Sequence, residues 1–266
     1  MARPMRLLTR FLLILLFLFP LDGFSDSRNS VQSKPADDTW MIFARAKLED
    51  EGLRYMKKGK YEEALAKFKE ENSPELRPPE AAFSGTAILY IQMAYFMLGK
   101  YEEALAVLEI AINASPNAES LLRRKKELEA IIEFQKNGSK KPVYDVIQYL
   151  KEKYLSPKAY SGYADSVVPA VIRLYDQIQD YDAGVAFADE IRVYGLRKDK
   201  KVLKKVESAQ EAWQKSQELK GQSSEWLLYK FAYEYLRIRE AFLEDKKSGT
   251  KGRATQVLIQ SDYFPW

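Results

Sequence analysis

An eight-residue word, GKYEEALA, occurs twice in this 266-residue chain, at 59–66 and again at 99–106. Each copy follows a stretch with apolar residues at helical spacing, ARAKLEDEGLRYMKK before the first and TAILYIQMAYFML before the second. Glycine just past such a stretch lets a helix end in the left-handed conformation, and YEEALA is dense in strong helix formers. One helix therefore ends at each glycine, and another begins at Tyr61 or Tyr101. Two helices joined by so short a turn fold back on each other, and a hairpin of this kind buries its apolar face only against a neighbour. The word is packing chemistry used twice, and it points to an all-α, helix-hairpin fold. Glu62, Glu63, Glu102 and Glu103 fall in the first turns of their helices, where they complement the helix dipole without any need for a reaction.

The spacing resembles the tetratricopeptide repeat family, whose 34-residue unit carries W-x2-L-G-x2-Y, then A-x3-F, then P. In a first copy at 45–78, Leu48, Gly52, Tyr55, Tyr61, Ala64 and Phe68 fall at signature positions, while Glu51 and Glu71 depart from the pattern. In a second at 85–118, Ile88, Ile91, Tyr95, Tyr101, Ala104, Leu108, Ala111 and Pro116 fit, with Gln92 where glycine is usual. The forty-residue offset exceeds 34, and the surplus lies in the connection NSPELRPPEA, where Pro79 is suited to open the next helix. A degenerate third copy fits at 165–198 through Val168, Val171, Tyr175, Tyr181 and Gly184, with Ile172 and Ala188 fitting poorly.

The resemblance implies a solenoid in which the first helix of each hairpin lines a concave groove for a peptide or partner helix. By register, that groove takes Ala46, Glu49, Leu53, Met56 and Lys57 from the first copy. The second copy adds Thr86, Leu89, Met93, Phe96 and Met97, a markedly apolar set suited to an adaptable surface. Another helix of the same chain covering these residues is the alternative, because a short solenoid must be capped.

Further helical faces are expected downstream: Val143, Val146, Ile147, Leu150 and Tyr154; Val202, Val206, Ala209 and Trp213; Leu228, Phe231, Tyr235, Ile238 and Phe242. Breaks at NGSKKP, LSPK, YG, KGQSS and KKSGTKG separate them. The expected organisation is a leader at 1–25, a polar linker at 26–38, the two hairpins with a following helix at 39–135, and a second helical region at 141–245. A C-terminal tail at 246–266 completes it, and NGSKK is a candidate hinge. The tail ends on Tyr263, Phe264, Pro265 and Trp266, which either dock on the chain's own fold or form a short motif for a partner.

Residues 1–25 read as a secretory signal: Arg3, Arg6 and Arg10 precede the apolar run FLLILLFLFPL, and Gly23 and Ser25 offer a cleavage site. Eleven apolar residues are short for a membrane span, so a retained anchor is the lesser reading. Removing the leader takes away three Arg and one Asp, and the net charge of +4 falls to +2, with 39 basic and 37 acidic residues. Nothing in that balance calls for nucleic acid. The one concentrated basic run, Arg197 to Lys205, suits a solvated helical face.

An exported chain without cysteine is stabilised by packing alone, and the complete absence of Cys favours a bacterial periplasm or cell exterior. No His and no Cys also removes Ser-His-Asp and Cys-His nucleophiles and nearly every zinc site. SGTK at 248–251 has the S-x-x-K spacing without its companion motifs. No acidic residue stands in an unusually apolar stretch. The expectation is a non-enzymatic adaptor without cofactor or metal, holding protein or peptide partners in the cell envelope through the concave groove. A periplasmic receptor for a hydrophobic small molecule or peptide is the alternative, and a carboxylate-only glycan hydrolase a third.

Overall fold

The computed structural model describes residues 39–76, 85–155, 164–195, 206–223 and 225–261, and among these every regular element is helical. We label the helices α1 (Thr39–Lys57), α2 (Tyr61–Glu71), α3 (Gly85–Met97), α4 (Tyr101–Ala114), α5 (Glu119–Asn137), α6 (Lys141–Tyr154), α7 (Ala164–Gln177), α8 (Tyr181–Gly195), α9 (Ala209–Glu218), α10 (Glu225–Ser248) and α11 (Arg253–Gln260). A single 3-10 turn, Pro74–Leu76, follows α2.

The two copies of the repeated word build the same turn. Gly59 and Gly99 adopt φ of +73° and +72°. In each, the following lysine N–H reaches back five residues, Lys60 to the Tyr55 carbonyl and Lys100 to the Tyr95 carbonyl, both at 3.0 Å. Gly59 and Gly99 donate to the Met56 and Phe96 carbonyls at the same distance. These are the two bonds of a Schellman cap, which satisfies carbonyls left over at the helix end. The turn recurs between α7 and α8: Gln179 stands at φ +53°, and Asp180 donates to the Tyr175 carbonyl at 3.0 Å. Gly138 (φ +72°) makes a simpler cap between α5 and α6, donating to Phe134 at 2.8 Å, and Pro142 opens α6. Gly221 (φ +84°) lies between α9 and α10. Left-handed residues thus recur at 59, 99, 138, 179 and 221, an interval close to the forty residues separating the two identical words, and two more, Gly249 and Gly252, stand outside that interval just before α11.

Neighbours pack in chain order: α1 on α2, α2 on α3, α3 on α4, and so on through α7 on α8. The order breaks at the end, where α10 packs on α8 as well as on α9, and α11 packs on α10, α7 and α1. The final helix among the described residues thereby joins the first hairpin to the fourth. Close approach depends on two glycines. A Cβ at Gly52 in α1 would fall well inside 3.0 Å of the Phe68 ring, and one at Gly184 in α8 would lie 2.6 Å from Phe242 of α10. Each glycine admits an aromatic ring that is fully buried.

One core runs from Met56 to Ile259 and draws on both sides of NGSKK. A smaller cluster of Val206, Ala209, Ala212, Tyr229, Ala232 and Leu236 holds α9 to the first half of α10. The expected face running from Val202 to Trp213 is corrected here. The helix begins only at Ala209, capped by Ser208, whose hydroxyl accepts the Glu211 N–H at 3.2 Å, and Trp213 is exposed. The Glu211 carboxylate in turn accepts the Glu207 N–H at 3.3 Å, one residue before the cap, so the start is fixed locally. The expected tail is likewise shorter: α10 continues to Ser248 and 253–260 is helical. Residues 1–38, Pro79, the basic run 197–205, and Tyr263, Phe264 and Trp266 lie outside the described residues.

Candidate functional site

The first-helix residues named from the sequence divide into two groups. Met56, Met93 and Phe96 are core side chains, 0 %, 2 % and 4 % exposed. Glu49, Leu53, Lys57, Leu89 and Met97 are half-buried and keep some accessible surface. Glu49 accepts a hydrogen bond from the Tyr90 hydroxyl at 3.2 Å, linking the first two hairpins. Phe96 packs edge-on against Tyr101, with ring centres 5.5 Å apart, and the Arg173 guanidinium lies over its ring.

Part of the cover over the ends of these helices comes from α11. Gln256 donates to the carbonyls of Lys57 at 3.1 Å and Met56 at 3.4 Å, and Gln260 donates to Lys57 at 3.3 Å. These belong to the last turn of α1, whose carbonyls have no partner within their own helix. The other end of α11 is held by two aspartates with no exposed surface. Asp176, in the last turn of α7, accepts the Gly252 N–H at 3.0 Å, the Thr255 N–H at 3.0 Å and the Thr255 hydroxyl at 2.5 Å. Asp245 of α10 accepts the Arg253 N–H at 3.0 Å and the Thr250 hydroxyl at 2.6 Å, with the Arg253 Nε at 3.1 Å. Two carboxylates from other helices thus cap α11, whose own cap residue, Gly252, has no side chain to do so.

The tyrosines that open α2, α4 and α8 all turn toward this junction. Tyr61 donates to the Gln256 side chain, Tyr101 donates to Gln177 at 2.5 Å, and Tyr181 donates to the Thr250 carbonyl. Burial, and then the charge of Asp176, push the Tyr61 and Tyr101 hydroxyls up to about 12, so both are neutral donors. Burial raises Asp176 itself against the opposing pull of its three hydrogen bonds, and the Asp245 charge raises it further.

A second polar group lies between α3, α5 and α7. Arg173 pairs with Glu127 at 3.0 Å, both nearly buried, and Arg124 donates to Gln92 at 3.1 Å. Burial and the Arg173 charge push the Arg124 guanidinium down to about 10, with Glu127 opposing and Arg123 adding to the shift. These four side chains, with Met93, Phe96 and Leu128, surround a void of only about 10 Å³, room for one water. A third buried group joins α1 to α2: Glu71 is 2 % exposed, lies 3.9 Å from Arg45, and is raised to about 7 by burial and then by Glu49.

The expectation that no acidic residue occupies an apolar setting is therefore corrected, because Glu71, Glu127, Asp176, Glu234 and Asp245 are all buried. Their surroundings are assembled from distant helices, and no local stretch of sequence signals them. Among the described residues no helix is long and apolar enough to cross a membrane, and no group of three or more acidic side chains is placed to hold a metal ion. Compared with known proteins, the chain matches no family model, no curated protein and no solved structure.

Proposed function

We propose that this chain is a non-enzymatic adaptor, exported to a bacterial envelope compartment, which holds other proteins on a tetratricopeptide-like array of helix hairpins. The observation that carries the reading is the thrice-repeated turn, with the same backbone bonds at Lys60, Lys100 and Asp180 and a tyrosine opening the next helix each time. Hairpins repeated at a fixed interval stack on their neighbours and offer extended surface rather than a single reaction centre. The leader at 1–25 supports export. The partner surface in this reading is the accessible part of the first-helix face, Glu49, Leu53, Lys57, Leu89 and Met97, with Met56, Met93 and Phe96 behind it as support.

Position-specific crosslinking tests this. A photo-crosslinking amino acid at Leu89, compared with one at the exposed Glu102 of α4, should capture a discrete protein from envelope-expressing cells only from the Leu89 position. Equal capture from both positions, or a hydrophobic small molecule retained by the purified chain in place of any protein, would replace the adaptor with a different binding surface or with a ligand receptor.

A further inference from the structure

One side of α10 carries aromatic and basic residues in turn, Trp226, Lys230, Tyr233 and Arg237, at a spacing that puts all four on the same helical face. Lys230 lies over the Trp226 ring, 6.0 Å from its centre, and Arg237 lies over Tyr233 at 5.3 Å. Trp213 of α9 joins them, its ring centre 5.1 Å from that of Tyr233 and 43 % of its surface open to solvent. The residues that hold α10 to α9, Tyr229 and Leu236, and to the main core, Ile238 and Phe242, fall elsewhere round the helix. Past Arg237 the same face runs into a groove of about 310 Å³ against α11, lined by Ala241 and Val257. That is room enough for a ligand, at the lower end of the usual range. The stripe is set apart by chemistry it leaves unused. Tryptophan and tyrosine usually give their polar atom a partner where they pack. Among the described residues the Trp213 and Trp226 indole N–H groups and the Tyr233 hydroxyl make no hydrogen bond, and Lys230 makes no ion pair. Exposed aromatic surface grouped in this way, rather than scattered singly, marks a contact surface.

The unused groups select the partner. Indole N–H and ammonium groups only donate, so the ligand must offer acceptors along its length. The open rings call for flat apolar faces between those acceptors. A polyproline II peptide meets both demands: it has no internal hydrogen bonds, so its carbonyls are free, and each proline brings a carbonyl without an N–H. Its period fits as well. Trp226 and Tyr233 are seven residues apart. That spacing is about 10 Å along the helix axis, and a polyproline II strand repeats its face at intervals of about 9 Å. Lys230 stands between the two rings in sequence with no carboxylate of its own, which calls for an acid on the peptide beside its prolines. Single-stranded nucleic acid also stacks on aromatic rings, but it needs an excess of cations. Here Arg237 is paired with Glu234 at 3.6 Å, and Glu240 and Glu244 line the groove beyond. We infer that this face of α10, together with Trp213, is a docking site for an extended proline-rich segment of a partner protein that bears an acidic residue. The surface is distinct from the first-helix face, and the inference stands or falls separately from the adaptor reading.

Fluorescence anisotropy of a labelled, end-blocked peptide of repeating Pro-Pro-Glu, titrated with the intact protein, tests it. The peptide should bind. A Gly-Ser-Glu repeat of the same length should bind at least about tenfold more weakly, because it must be ordered as it docks. A Pro-Pro-Lys repeat should also lose at least about tenfold, since it sets like charge against Lys230. These comparisons use the wild type alone and rely on no variant. Lys230→Glu should reverse the charge preference, so that Pro-Pro-Lys binds more tightly than Pro-Pro-Glu. Trp213→Ala should weaken Pro-Pro-Glu at least about tenfold, the loss of an aromatic anchor. Trp213 is exposed, so this variant should fold, and circular dichroism checks that it does. No binding of Pro-Pro-Glu, equal binding of Gly-Ser-Glu, an unchanged affinity in folded Trp213→Ala, or an unaltered charge preference in folded Lys230→Glu would each overturn the assignment. Tighter binding of oligothymidylate or of a chitin oligosaccharide than of the peptide would overturn it too, and would give the face to a nucleic acid or a glycan.

Discussion

Asp176 and Thr255 are seventy-nine positions apart and are joined twice, the Thr255 hydroxyl donating at 2.5 Å and its backbone N–H at 3.0 Å to the same carboxylate oxygen. The bond pair places a negative side chain from the end of α7 against the start of α11. A carboxylate at a helix C-terminus is unfavourable to its own helix dipole, and here the N-terminus of another helix offsets it. The last helix is consequently a structural member of the array rather than a tail.

Asp176→Asn should loosen that member selectively. An amide in this position sets its NH2 group against N–H donors, and the loss should be about 2–4 kcal/mol, typical of breaking a buried charged network. Thr255→Val removes only the hydroxyl bond and should cost about 1–2 kcal/mol. Hydrogen exchange reads both: amides of residues 253–260 should lose protection before those of α4 and α5. Uniform loss, or none, would mean that α11 is held mainly by Ala254, Leu258 and Ile259 in the core.

Glu71 gives the stability a pH dependence of definite sign. Its folded value of about 7 lies above the ordinary 4.5, so the folded chain holds the proton more tightly than the unfolded chain. Its contribution is complete below 4.5 and is lost as the pH rises through about 7. Wild type should therefore lose up to about 3 kcal/mol relative to Glu71→Gln between acid and mildly alkaline pH. Asp176 and Glu49 are raised too and act in the same direction, so the comparison with the variant isolates Glu71. Chemical denaturation of both proteins across that range, with parallel curves, would contradict this.

Gly52→Ala and Gly184→Ala should each destabilise by about 1–3 kcal/mol or more, because Phe68 and Phe242 occupy the space a methyl would take. Phe68→Leu combined with Gly52→Ala should recover part of the loss, and the double-mutant cycle measures the coupling. Gly99→Ala meets no neighbour, so its cost comes only from φ +72°, about 1–2 kcal/mol.

The hairpins were legible where one residue carries a backbone requirement that only it meets cheaply. Gly59 and Gly99 announced their turns, whereas Gln179 makes the same turn with no glycine, which left the hairpin of α7 and α8 to the weaker signals of Tyr181 and Gly184. Ser208 and Glu211 are a local signal for the start of α9 that an apolar periodicity through Val202 obscured. By contrast α11 has no cap of its own, and Asp176 and Asp245 supply one from other helices. Arg124 and Glu127 sit in RRKKELE, which has the composition of a solvated helix, and only packing against α3 and α7 shows them to be inside. The apolar character of Met93 and Phe96 was readable from sequence, which left open whether they line a groove or are covered by the chain itself; side chains of α5 and α7 beside them decide for cover.

The most direct test of the adaptor reading is the dissociation constant of the protein crosslinked from Leu89, measured for the wild type and for a chain carrying Leu53→Glu and Leu89→Glu. Circular dichroism and thermal unfolding would establish that both are folded. The expected result is a 1:1 complex weakened at least about tenfold, or about 1.4 kcal/mol, by the substitutions. An affinity unchanged in the folded variant would contradict a partner surface on the first-helix face.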